Sequence, residues 1–181
     1  MTWEIKEPAE HQLNRIRKFF EAEIVGVSAK ESVYVETEMR RQASSFLPRD
    51  ASGAIYPTFW RAAYLPDGSI AGAICAHTPY ALVTQIAASP LGEEFARGFA
   101  RARRTLACVA VHKDRRGQDL GSALLEAMEE IARAEGAAQI TGYMGQADRG
   151  EPHFYRKNGY IIRPVQKPVP PLAPPHHRDA S

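Results

Sequence analysis

Three cations fall within four residues, at Lys113, Arg115 and Arg116, and Gly117, Gly121 and Ser122 follow directly. Residues of these types in this order suit the holding of an anion. From Leu120 onward, Leu120, Leu124, Ala127, Met128 and Ile131 recur at helical spacing, and Gly136 supplies the stop. The first amides of a helix lack intrahelical partners and carry the positive end of its dipole. Gly117 lets the backbone approach a ligand closely, Gly121 keeps a Cβ out of the first turn, and Ser122 adds a hydroxyl. A phosphate or pyrophosphate is the natural ligand for such an end. The spacing is that of neither a P-loop, which needs Gly-Lys-Ser/Thr after four intervening residues, nor the dinucleotide pattern G-x-G-x-x-G. The competing reading is an ordinary helix start in which Asp119 accepts the amides and the cations only coat a solvated turn.

Other titratable side chains are scattered. His112 closes the apolar run 106–112 and suits base chemistry near neutral pH, but it sits beside the anion turn. His77, Glu36 and Glu38 are further bases that sequence does not rank, and His77 equally suits one structural hydrogen bond at a strand end. His153 reads as helix surface. His176 and His177 have no partner ligands nearby, so no metal site is expected. Cys75 and Cys108 lie in apolar, strand-like runs and read as buried thiols, not as a disulfide or a nucleophile.

The elements that must position these groups follow from periodicity. Residues 2–5 suit a short edge strand, and 7–23 a helix carrying Leu13, Ile16, Phe19 and Phe20 on one side. Gly26 breaks it, a second helix is expected over 30–45, and 46–57 is a loop by its Pro, Asp, Ser and Gly content. Strands at 58–65 and 69–78 form a hairpin through Pro66-Asp67-Gly68. Segment 80–105 reads as an insertion, with Ser89 and Pro90 opening a basic amphipathic helix. Leu91, Phe95, Phe99 and Ala102 form its apolar stripe, and Arg97, Arg101, Arg103 and Arg104 its cationic side. That helix fits a lid, a dimer contact, an RNA-phosphate patch, or a packed helix with a solvated basic face. Residues 106–112 read as a strand buried on both faces. Residues 137–144 suit another strand, 148–158 a short helix ended by Gly159, and 160–163 a last strand. Residues 164–181, with six of the 13 prolines, suit an extended tail.

Two stretches carry a family resemblance. Arg116, Gly117, Gln118, Asp119, Leu120 and Gly121 resemble the acetyl-CoA motif Gln/Arg-x-x-Gly-x-Gly/Ala of the GCN5-related N-acetyltransferases (GNAT), with Asp119 where the family prefers glycine. F-Y-R-K-N-G-Y, residues 154–160, is similar to the family's F/L-Y-x-x-x-G-F element. Two motifs in order are more specific than either alone, and the resemblance spans about 58–164. It implies an α/β (α+β) single-domain fold with a mixed, mostly antiparallel sheet of about six to seven strands flanked by helices. Strands 106–112 and 137–144 would splay to admit the pantetheine arm of acetyl-CoA. The backbone of Val109, Ala110 and Val111 would pair with that arm, and the Val109 N–H would face the thioester oxygen. The resemblance further implies that Arg116 through Gly121, with Ser122, hold the pyrophosphate. Asp148, where relatives often carry Asn, would meet the pantetheine. Tyr155 matches the family's general acid, a phenol of pKa about 10 that can protonate the leaving thiolate. Its alternative is to pack a helix on the sheet together with Phe154.

Bulk properties set the limits. The 181 residues and 20.0 kDa suit one domain, expected over 1–163 with 164–181 as its tail. A net charge of +2 and a pI near 8.6 do not suggest DNA or RNA binding at the global level. With no apolar N-terminal region and no apolar run of about 18 residues, the expected setting is the cytoplasm, without a membrane. The expected activity is acetyl transfer from acetyl-CoA to a primary amine of a small molecule, by direct attack in a ternary complex. Glu36 and Glu38 would suit a cationic acceptor. A protein amine, an aminoacyl-tRNA served by Arg97 to Arg104, and a non-catalytic CoA-binding or interaction domain are the alternatives, and a homodimer is an option.

Overall fold

A computed structural model describes residues 2–24, 46–47, 58–142 and 151–163, which belong to two compact units, Met1–Thr141 and Gly142–Ser181. The helix expected over 30–45 with Glu36 and Glu38, the strand end 143–144, Asp148 and the tail 164–181 lie outside the described residues.

The first unit is organised on a sheet in the order β1 (Glu4–Lys6), β2 (Phe59–Tyr64), β3 (Ile70–His77), β4 (Arg103–Val111), β5 (Gln139–Gly142). The first four strands pair antiparallel in succession. Helix α1 (Leu13–Glu23) follows β1, α2 (Tyr80–Ala87) and α3 (Gly92–Ala102) join β3 to β4, and α4 (Leu120–Ala134) joins β4 to β5. This is the expected mixed, mostly antiparallel sheet flanked by helices. Five strands are described where six to seven were expected. One reason is that residues 160–163 form no strand.

Alternation along the strands divides the core. Ile16 and Phe20 of α1 pack on Ala62, Tyr64, Ala73, Cys75 and Ala110. A Cβ built on Gly72, which points the other way, would lie 2.9 Å from Leu124 Cδ1 and 3.1 Å from the Ala110 carbonyl oxygen. Helix α4 therefore presses on the opposite face, close enough to demand glycine there. Cys75 is buried, as its sequence reading has it, whereas Cys108 is half-buried where it was read as buried; the two are not joined in a disulfide.

Segment 80–105 departs from expectation. It forms two helices that share a core with Leu47, in which Tyr80 and Val83 pack against Ala96, Phe99 and Ala100. Ser89 is no N-cap of α3; its hydroxyl donates to the Ile86 carbonyl and accepts the Leu91 amide, joining the two helices. Helix α3 ends at Ala102, and Arg103 and Arg104 turn into β4 with only 4% and 1% of their surface exposed. The expected solvated basic side thus loses two of its four arginines. The Arg104 Nη1 donates to the carbonyls of Ala100 and Arg103 at 2.8 Å, supplying donors to the end of the helix. Its guanidinium lies 5.6 Å from the Phe59 ring centroid, and that of Arg103 4.6 Å from the Phe99 ring.

Candidate active site

Strand β4 carries the first component. Its register against β3 slips so that Cys75 faces Cys108 and Ala76 faces Leu106, leaving Ala107 as an extra residue in a bulge. Beyond the bulge the ladder is regular, and the His112 amide donates to the Ala71 carbonyl at 2.9 Å. Antiparallel residues face a given neighbour alternately, so Ala110 shares that direction, while Val109 and Val111 turn their N–H and C=O groups away from β3. The other neighbour, β5, lies beside the first part of β4, with the Ala138 amide on the Ala102 carbonyl at 2.9 Å. The strand was expected to be buried on both faces. Instead Ala107 is exposed and Cys108, Val109 and Val111 are half-buried, because the bulge interrupts the ladder within the apolar run.

The second component is the turn after β4. His112 caps a short 3-10 turn, Lys113–Arg115, by accepting the Asp114 amide on Nδ1 at 3.3 Å. Gly117 then has φ +76°, and the space its Cβ would occupy holds no atom within 4 Å. Asp119, at the N-cap of α4, has φ 58°, the one described non-glycine residue in the left-handed region. That conformation accounts for a glycine preference at this position. Asp119 makes no side-chain capping bond, so the Asp-capped alternative is not realised. The first helical bond runs from the Ala123 amide to the Asp119 carbonyl, so the amides of Leu120, Gly121 and Ser122 precede the hydrogen-bonded ladder. The uncovered backbone at Gly117 and these amides fit a pyrophosphate group.

Sequence reading missed Glu23, the last residue of α1. Its Oε2 accepts the Lys113 amide at 3.1 Å and Arg116 Nη2 at 3.0 Å, and its Oε1 is 3.9 Å from His112 Nε2. Arg116 Nε also donates to the Val111 carbonyl at 3.1 Å, so its guanidinium ties the turn back to β4. Of the cations Lys113, Arg115 and Arg116, Arg116 is ion-paired with Glu23, and Asp114 and Asp119 lie in the same stretch, so the formal charges of the three cations and the three carboxylates are equal in number. At a helix start with equal numbers of cations and carboxylates, the unpaired amides and the helix dipole are the chief source of attraction for an anion, not surplus charge.

His77 follows its structural reading: Nδ1–H donates to the Thr78 carbonyl at 2.6 Å, and the ring stacks on Tyr80 at 6.2 Å.

In the second unit, Tyr155 stands in α5 (Glu151–Lys157). Its ring is half-buried and packs edge-on against Phe154 and Tyr160, with centroids 5.1 and 5.7 Å away. The Tyr160 amide donates to the Tyr155 carbonyl, and Gly159, with φ +82°, closes the helix as expected.

Residues 67–162 match the model of the acetyltransferase (GNAT) domain, which is more than half of the chain. The chain belongs to the GNAT acetyltransferase family. It is an acyltransferase of a family that uses acetyl-CoA. No curated protein matches it. Among solved structures, its fold is similar to that of Ard1 from Thermoplasma volcanium, with TM-score 0.59 and 14% identity over 91% of this chain and 86% of that one. It is similar to AAC(6')-Iy in complex with the bisubstrate analogue CoA-S-monomethyl-acetylneamine, with TM-score 0.59 and 11% identity over 93% and 99% of the two chains. A third is an aminoglycoside acetyltransferase from an uncultured soil metagenomic sample in complex with sisomicin, with TM-score 0.56 and 16% identity over 92% and 95%.

Proposed function

We propose that the chain moves an acetyl group from acetyl-CoA to a primary amine of a small molecule, by direct attack of the amine on the thioester. The observation that carries this reading is the run from Val109 to Ser122. A strand edge turned away from β3 leads into a turn with left-handed Gly117 and Asp119, followed by the amides of α4 that precede its hydrogen-bonded ladder. In this reading Val109, Ala110 and Val111 hold the pantetheine arm as an added strand would. The Val109 N–H donates to the thioester oxygen as negative charge develops there, a contribution of about 10² to 10³ in rate for a preorganised donor. Gly117, Gln118, Leu120, Gly121 and Ser122 present amides to the pyrophosphate, with Asp119 and Arg116 shaping the turn. Asp148 contacts the pantetheine, and Tyr155 gives its phenolic proton to the departing thiolate.

Binding of a CoA bisubstrate analogue and of sisomicin by two proteins of similar fold agrees with a small amine as acceptor. The aminoacyl-tRNA alternative loses support, because Arg103 and Arg104 are consumed inside the first unit. The test is Tyr155→Phe, assayed by CoA release with an amine identified by screening. The expected result is a kcat lower by about a hundredfold, within the range for loss of a general acid, with acetyl-CoA affinity by calorimetry held within about twofold. Turnover at the parent rate would remove Tyr155 from the mechanism, and no acetyl-CoA binding by the parent would remove the proposed activity.

A further inference from the structure

We infer that Glu23 is the positioning residue of the anion-binding turn, acting on the ligand only through Lys113 and Arg116; this rests on the acetyl-CoA reading above. Glu23 is separated from Lys113 by 90 positions, yet its side chain is only 10% exposed and is directed at the turn. A carboxylate so enclosed costs desolvation unless it is answered by donors, and here two converge on one oxygen, a backbone amide and a guanidinium. The Glu23 backbone carbonyl accepts Arg116 Nη2 as well, at 3.5 Å. These bonds join three elements: the end of α1, the last residue of β4 through the Arg116 Nε bond to Val111, and the turn that leads into α4.

The chemistry favours positioning over direct contact. Oε2 is used twice inward, and a carboxylate facing a pyrophosphate would repel it. Arg116 is 58% exposed, and a long side chain at such exposure wanders unless it is held. Glu23 holds it in one arrangement before the ligand arrives, so less ordering remains to be done on binding.

The experiment is steady-state kinetics with acetyl-CoA varied, for Glu23→Ala and Glu23→Gln beside the parent, together with calorimetric acetyl-CoA titration and thermal melting of all three. Loss of two charge-assisted bonds in Glu23→Ala is expected to raise KM for acetyl-CoA about tenfold while kcat stays within about twofold. Glu23→Gln keeps an acceptor oxygen for both donors and is expected to recover most of that loss. An unchanged KM in Glu23→Ala, a loss confined to kcat, or equal damage in both variants would overturn the proposal. If Glu23→Ala fails to fold, Glu23→Gln decides alone, and a tenfold rise in its KM overturns the role. A parent that binds no acetyl-CoA would overturn the proposed function and this role together, whereas parent binding that Glu23→Ala leaves intact overturns the role alone.

Discussion

Asp119 is the residue where backbone and chemistry disagree. Its φ of 58° places it in the left-handed region at the start of α4, which costs an L-residue about 1 to 2 kcal/mol, less for Asp than for most. Glycine would pay nothing and would also remove a carboxylate from the anion end of the helix. Asp119→Gly and Asp119→Ala both delete the same side-chain contacts, so the difference between them isolates the backbone. The glycine variant is expected to be the more stable of the two by about 1 kcal/mol, or about 2 to 4 °C in melting temperature for a chain of this size. The same variant is expected to bind acetyl-CoA more tightly than the parent in calorimetry. Equal melting temperatures for the two variants would mean that residue 119 does not hold a left-handed conformation in solution.

At the level of elements, the junction of α3 and β4 turns on Arg104. Its guanidinium is 1% exposed and donates to carbonyls of Ala100, Arg101 and Arg103, which the helix end would otherwise leave without donors. Arg104→Met keeps much of the volume and removes every donor, so it is expected to cost about 2 to 3 kcal/mol in chemical denaturation. Arg101→Met, on the exposed side of the same helix, is expected to stay within about 0.5 kcal/mol. Sequence could not separate these arginines, because the helical period runs through Arg104 while the helix ends at Ala102 and the chain turns extended at Arg103 to enter β4. Where local chemistry decides, the reading succeeded: the Pro66-Asp67-Gly68 hairpin, the start of α4 at Leu120 and the glycine stops at Gly136 and Gly159 all appear. Where a contact distant in sequence decides, it failed. Glu23 meets the turn only after folding, and the bulge at Ala107 opens a strand whose composition reads as closed. The left-handed turn ahead of α4 was legible from Gly117 and Gly121, and the Glu23–Arg116 pair that ties it to α1 was not.

That balance extends to the whole molecule. With 23 Lys and Arg against 21 Asp and Glu, the protein carries little net charge to gather an anionic ligand, and in the turn the three cations are equalled in number by Glu23, Asp114 and Asp119. In the proposed function, acetyl-CoA is recognised by short-range donors, and short-range hydrogen bonds respond weakly to counterions. An uncompensated cluster of three cations would behave differently, because contraction of the Debye length from about 14 Å at 0.05 M to about 4 Å at 0.5 M salt screens exposed charge strongly. Calorimetric titration with acetyl-CoA over that range is expected to show affinity falling by no more than about threefold, against about tenfold or more for recognition led by exposed charge. A steep salt dependence would show that the exposed charge of Lys113, Arg115 and Arg116, and not the fixed amides, leads the recognition.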